Sequence, residues 1–399
     1  MAVSTLVMLC LGSIYAWSVF RVPLSIIHPD WVDTELSTIF TISIICFCFG
    51  GFISGKIVVE IGFKIVLLVA ALLLFAGFYG ASMAVRNGDS KTALMLMYVF
   101  YGVFCGLGAG IGYNSVIGTT IKWFPDMAGI ASGVMLIGFG CGGLVLGSFA
   151  MQLIEALGVS NTLFYFSLSI SPVILISAFV ISRPSEAGTK PIEENDAIIE
   201  AAIVPLSSLQ MIKTGEFWLF FSYAIFACSA GLVIINSGSV IAVSFGAPAV
   251  IGLLVSVFNG AGRIVIGFLF DKRGRYIAMI TNAIFLLFCG VMLLLCSITK
   301  QTIFILIGLP LIGLPYGGTA SLVSAVTHSL FGSKFYAENA ALMMFHMVPA
   351  TVIGPIIYDL LFKWSGRTYH LPFTMIIIFA LGMITMNAIL TKNLLRQTK

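Results

Sequence analysis

The sequence predicts an all-α integral membrane protein of twelve transmembrane helices, built as two six-helix halves. Three observations carry this. Mean hydropathy is +1.10 and only 9% of the 399 residues are charged, against about a quarter in soluble domains. Apolar segments of the roughly 20 residues needed to cross a hydrocarbon core about 30 Å thick recur along the chain. Two stretches of the first half are echoed in the second at nearly constant offset, as duplication of a six-helix unit would leave them.

Taken in order, the spans are expected at 2–20, 36–57, 64–85, 93–121, 128–152, 161–182, 215–242, 248–270, 276–298, 302–330, 336–362 and 371–391. The first has no basic residue ahead of its apolar run, so it reads as a helix and not as a secretory signal. The chain opens directly on it, which suggests a clipped start. The polar stretch "RPSEAGTKPIEENDAIIEAAIVP" divides the spans six and six. Residues 1–182 then form an N-terminal bundle, 183–214 a cytoplasmic linker with one short helix at 196–203, and 215–399 a C-terminal bundle. Trp31, Trp123, Trp218 and Trp364 fall at or near span ends, where an aromatic belt would place them.

The echoes are local. "GKIVVEIGFK" (55–64) and "GFLFDKRGRY" (267–276) each follow the second span of a half, and Gly55 and Gly62 align with Gly267 and Gly274. "GLGAGIGYNSVIGTTIKWF" (106–124) matches "GLPYGGTASLVSAVTHSLF" (313–331) at six of nineteen positions. Lys and Arg set the orientation. With the N-terminus inside, thirteen lie on the cytoplasmic side and six, Arg21 among them, outside. Both termini are therefore expected in the cytoplasm, and the plasma membrane is the expected location. The net charge of +4 follows from this bias and argues for no nucleic-acid partner. All eight cysteines fall inside spans, in no disulfide or zinc spacing. The sequence shows no paired carboxylates, nucleophile–base pair or metal cluster, so no enzyme, no metal and no cofactor is expected.

The sixteen acidic residues all map to loops or helix ends, which leaves a carboxylate proton relay without a member. Arg263 stands out against this. It lies within an apolar run, where an arginine costs roughly 2.5–3.5 kcal/mol on insertion scales. Its helix runs from outside to inside, and helical side chains lean toward their N-terminus, so Arg263 leans toward the midplane instead of snorkelling inward. An anionic cargo, held in bidentate geometry, would justify it. His346 lies about 15 Å into its helix and can change charge near neutral pH. It is a candidate for substrate binding or proton coupling, the alternative being a packing histidine. Tyr15, Tyr113 and Tyr316 can each offer a hydroxyl to a carboxylate, with Asn114, Asn236 and Asn259 as weaker candidates. Asp271 with Lys272, Arg273 and Arg275 reads as a cytoplasmic gate latch, formed in one conformation only.

Gly267, Leu269, Asp271, Lys272, Gly274 and Arg275 resemble the loop signature G-x-L-x-D-[RK]-x-G-[RK] of the major facilitator superfamily. In the first-half copy Val59 stands where the Asp should be, beside Glu60. "YAWSVF" (15–20), "YNSVIGTTIKWFPDMAGIASG" (113–133), "EFW" (216–218), "FNGAGR" (258–263) and "DKRGRY" (271–276) spread the likeness along the chain and make it similar to the oxalate:formate antiporter family. The resemblance implies the major facilitator fold of two parallel repeats and transport by alternating access. It places Arg263 on the family's substrate-binding arginine, and Tyr15 and Tyr113 on positions that give aromatic groups to the site. Tyr316 stands where the family tends to have Trp. Met347 replaces a lysine of the eleventh helix, with His346 its neighbour, and Ile14 and Ile44 replace polar positions. One fixed cation plus a titratable His suits a monocarboxylate such as formate, lactate or pyruvate better than the dianion oxalate, moved by exchange or with a proton. A monomer in the bilayer is expected. The alternatives are a carrier of neutral or hydrophobic solutes with Arg263 structural, and a non-transporting sensor of the same fold.

Overall fold

The computed structural model describes residues 1–124, 128–181, 206–332 and 335–397. Most of the predicted linker 183–214, including its short helix at 196–203, lies outside them, as do Pro125, Asp126 and Met127. The described residues are helical almost throughout, with no strand among them. We number the helices α1 Ala2–Ile27, α2 Asp33–Ile61, α3 Phe63–Val85, α4 Ser90–Thr120, α5 Ala128–Leu157, α6 Val159–Val180 and α7 Gly215–Ser244. The run Val250–Thr299 has 50 residues, about 75 Å at 1.5 Å per residue and more than twice a bilayer core. It breaks at Gly274 (φ 77°, ψ 174°), giving α8 (250–273) and α9 (275–299). Then come α10 Thr302–Phe331, α11 (336–364) and α12 His370–Gln397. Among the described residues this gives twelve helices long enough to span, as many as the hydropathy pattern predicts.

Gly62, between α2 and α3, has φ 91° and ψ 151°, close to Gly274. This backbone region is essentially open to glycine alone. No neighbour lies within 4 Å of a Cβ built at either residue, so conformation and not crowding demands glycine there. The two residues aligned in the sequence thus make the same turn. Other ends are capped by side chains: Asp89 accepts from Thr92 N at the start of α4 (3.1 Å), and Glu35 Oε2 from Val32 N at the start of α2 (2.9 Å). The bonds to Thr92 hold the exposed Asp89 carboxyl below the ordinary aspartate value.

Three spans read as continuous are interrupted. Residues Gly12–Ala16 of α1 wind as a tight 3-10 turn. α10 breaks at Ile312 and α11 at Phe345–His346. Proline explains the last two. Pro315 and Pro349 cannot donate to the carbonyls of Leu311 and Phe345, four residues earlier, and their rings crowd those carbonyls. α4 carries a widened π segment at Tyr98–Cys105.

The chain divides into two compact units, Met1–Pro184 with Val233–Gly260, and Ser185–Leu232 with Ala261–Lys399. α7 and α8 contribute to both. In the first unit α2 and α4 meet backbone to backbone. A Cβ on Gly106 would lie 2.4 Å from Ser43 O, and one on Gly110 2.0 Å from Phe47 O. Gly102, Gly106 and Gly110 recur every four residues, the small-residue spacing that lets membrane helices approach closely. In the second unit Asn282 ties α7, α9 and α10 together. Its amide donates to Thr319 Oγ1 (3.0 Å) and Pro315 O (3.2 Å), beside Tyr223, whose hydroxyl donates to Met279 O (2.8 Å).

Candidate functional site

Arg263 sits ten residues from the end of α8, about 15 Å into the helix. The sequence places that end near residue 270 and the arginine about 10 Å deep. The helix continues to 273, so the residue is deeper than expected, and it is only 9% exposed. Its carbonyl accepts from Ser321 Oγ (2.7 Å), and one residue earlier a Cβ on Gly262 would lie 2.2 Å from Leu314 O. α8 is therefore held tightly against the stretch of α10 that begins at its break.

That stretch carries Tyr316, buried against α7, where a Cβ on Gly231 would lie 2.4 Å from the Tyr316 ring. Three residues before Gly231, Cys228 Sγ lies 3.2 Å from His346 Nε2. His346 occupies the break in α11, buried, with Nδ1 2.6 Å from Met343 O. A carbonyl can only accept, so Nδ1 carries the proton and the neutral ring presents Nε2 as an acceptor. Arg263, Tyr316 and His346 thus stand on α8, α10 and α11 of one unit, and α7 residues 228–231 touch both Tyr316 and His346.

Tyr15 and Tyr113 belong to the first unit and share a partner. Their rings pack edge-on against Phe139, with centroids 5.1 and 4.9 Å away, and Phe47 lies 5.3 Å from Tyr113. Tyr15 lies in the 3-10 turn of α1. Tyr15, Tyr316 and His346 therefore all lie at or beside a helix interruption, the kind of backbone found at membrane depth only where it is buried in protein or lines a cavity. Ile14 and Ile44 are buried.

The gate residues sit apart from these. Asp271, Lys272 and Arg273 form the last turn of α8 and are exposed, Lys272 Nζ lying 4.6 Å over the Phe268 ring. Arg275 is half-buried just past the Gly274 turn. Asp271 makes no ion pair among the described residues in this conformation.

Sequence reasoning missed Arg21. The expectation places it in the first loop; α1 instead continues through Pro23 to Ile27, and Arg21 is 7% exposed. The polar C-terminal half of α7 is the reason. Arg21 Nη1 donates to Ser237 Oγ and reaches Asn236 O at 3.4 Å, while Nη2 lies 3.4 Å from Asp33 Oδ1. Ser18 and Ser239 bond at 3.1 Å, and the Asn236 amide donates to Ser37 Oγ at 3.1 Å. Polar groups of α1, α2 and α7 bond to one another there. The serine-rich run "NSGS" (236–239) was the available signal.

The profile of the Major Facilitator Superfamily matches residues 6–355. The chain is 27% identical over 352 residues to the oxalate:formate antiporter of Oxalobacter formigenes, covering 86% of this chain and 79% of that protein. It is 25% identical over 334 residues to YhjX, an uncharacterised transporter of the same superfamily from Escherichia coli strain K12, covering 82% and 79%. Among solved structures, a D-xylose–proton symporter superposes with a TM-score of 0.73 over 96% of each chain at 16% identity, a likeness of fold.

Proposed function

Because this chain belongs to the Major Facilitator Superfamily, and is therefore a multi-pass membrane transporter, we propose that its solute is a small organic anion, with a monocarboxylate such as formate, lactate or pyruvate the best fit. Arg263 is the anchor. The observation that carries the reading is a guanidinium 9% exposed at mid-helix depth, in a chain whose sixteen acidic residues read at loops or helix ends. An arginine kept at that depth has a use for its charge, and the planar fork matches a carboxylate. The likeness to a carrier named for oxalate and formate points the same way. Tyr316, in the same unit as Arg263, is a proposed hydroxyl donor to the carboxylate, and Tyr15 and Tyr113 of the other unit are further proposed substrate-binding residues.

His346 is the proposed proton-coupling residue. With Nδ1 committed to Met343 O, a proton gained at Nε2 changes the charge at the break in α11, where a backbone already interrupted can rearrange. The Arg21 clamp holds α1 to residues 236–239 of α7, at the end that the Lys and Arg distribution reads as outside. Asp271, Lys272, Arg273 and Arg275 latch the opposite face in the alternate state. The protein acts as a monomer in the plasma membrane, with both termini in the cytoplasm, by exchange or proton symport.

Calorimetric titration of purified protein with formate, acetate, lactate, pyruvate and oxalate tests the assignment. Arg263→Gln should abolish carboxylate binding while the variant keeps its thermal transition. Unchanged affinity in a folded variant would make Arg263 structural.

A further inference from the structure

Cys228 and His346 belong to one compact unit, and each is 3% exposed. Cys228 Sγ lies 3.2 Å from His346 Nε2. The other ring nitrogen is already committed, Nδ1–H donating to Met343 O at 2.6 Å. A carbonyl on one imidazole nitrogen, aiming the lone pair of the other, is the arrangement that accompanies nearly every metal-bound histidine. Here that lone pair meets a thiol, itself a metal ligand once deprotonated. The helices hold the two groups in place. One residue after Cys228, Ser229 Oγ donates to Ala350 O (3.3 Å), and a Cβ on Gly354 would lie 2.8 Å from Ser229 O. α7 and α11 therefore meet closely just beyond the break that carries His346. On another side the Phe221 ring stands edge-on to the imidazole, with centroids 6.4 Å apart.

We propose that Cys228 and His346 form a binding site for a soft monovalent cation, Cu(I) or Ag(I). Three observations select that class. Among the described residues no third His, Cys, Asp or Glu completes a cluster, whereas zinc sites ordinarily take three or four such ligands. Soft metals accept thioethers as well as thiolates, and Met343, Met344 and Met347 flank His346 in the run "MMFHM". Charge decides the rest: a thiolate and a monovalent cation sum to zero, while a divalent ion would leave a net charge buried at high cost. The geometry is near to what a metal needs. Bonds of about 2.3 Å to sulfur and 2.05 Å to nitrogen, at the tetrahedral angle, separate the two atoms by about 3.6 Å. The pair has only to part by about 0.4 Å. On binding, the S–H bond breaks, sulfur and Nε2 bond to the metal, and the proton leaves to water, with no electron transferred. Bound metal takes the nitrogen left for a coupling proton, so the two exclude one another. The site does not depend on which solute is carried.

The test sets purified full-length protein to compete with the chelator bicinchoninate for Cu(I), kept reduced by ascorbate. Wild type, Cys228→Ser and His346→Gln are compared, and the thermal transition of each checks its fold. The other seven cysteines are common to all three, so differences report this site. Wild type should hold one copper that Cys228→Ser does not. His346→Gln keeps the thiol, yet should bind that copper at least about tenfold more weakly, since losing even the outer partner of a metal-bound histidine costs about 10–100-fold. A thiol that merely donates a hydrogen bond to the ring would bind copper equally well without it. Equal affinity in wild type and a folded His346→Gln therefore overturns the proposal, as does equal copper in wild type and a folded Cys228→Ser. Should either variant fail to fold, X-ray absorption of wild type carrying one equivalent of Cu(I) decides. Sulfur and imidazole nitrogen together around the metal support the site, and sulfur alone overturns it.

Discussion

Gly110 and Gly118 lie two turns apart on α4, and the structure predicts opposite outcomes for the same substitution. A Cβ at Gly110 would sit 2.0 Å from Phe47 O, 2.8 Å from its carbonyl carbon and 2.9 Å from its Cα. Ordinary contact begins near 3.4 Å, so the backbones of α2 and α4 must part by about 1.4 Å, and backbone cannot rotate aside as a side chain could. Overpacking of this kind typically costs about 1–3 kcal/mol, and here it also separates the helices at Gly106, one turn away. Gly118 is exposed, with nothing within 4 Å of its Cβ position. Gly118→Ala should be neutral or stabilise by up to about 1 kcal/mol through helix propensity. The assay is reversible unfolding of each variant in mixed micelles, read by tryptophan fluorescence. Gly110→Ala should also weaken substrate binding, because Phe47 supports the ring of Tyr113 at 5.3 Å. Equal stability of the two variants would refute the close crossing of α2 and α4.

Two further outcomes are expected. Arg21→Gln removes a charged donor from Ser237 Oγ, a loss of about 1.5–3 kcal/mol; the Asp33 pair adds at most about 1 kcal/mol, since that carboxylate is 83% exposed. The clamped state should lose at least tenfold in population, so a membrane-impermeant maleimide should label Ser239→Cys faster in the Arg21→Gln background, after subtraction of labelling at native cysteines; an unchanged rate would show that Arg21 closes nothing. His346→Gln should abolish stimulation of uptake by an inwardly directed proton gradient (acid outside) while sparing solute exchange, and a gradient response that survives would return His346 to packing.

Hydropathy alone made the twelve spans legible, because a lipid solvent demands long apolar helices whatever their packing. The turn at Gly62 and Gly274 was legible too, since the alignment of the halves put the same residue at both. The interruptions were not. Pro315 and Pro349 were visible, but a proline in a membrane helix can be absorbed by a kink, and only the local backbone shows that α10 and α11 break. Arg21 was misplaced for a related reason: loop and helix end look alike where a cation follows an apolar run, and two of its acceptors, Asn236 O and Ser237 Oγ, lie more than 200 residues away on α7. Arg263 and His346 stood out as polar residues in apolar sequence. Cys228 as the neighbour of His346 is a fact of packing between helices distant in sequence. The glycines at 106 and 110 were readable as small, but not as touching Ser43 and Phe47.

The account rests on Arg263 holding an anionic solute, and uptake tests that most directly. Radiolabelled formate, acetate, lactate, pyruvate and oxalate would be offered to proteoliposomes containing wild type or Arg263→Gln, with and without a pH gradient. The expected result is saturable uptake of at least one monocarboxylate by wild type, reduced at least a hundredfold by the substitution, in keeping with the loss of two charge-assisted hydrogen bonds of about 1.5–3 kcal/mol each. Saturable carboxylate uptake that survives Arg263→Gln at the wild-type rate would contradict it.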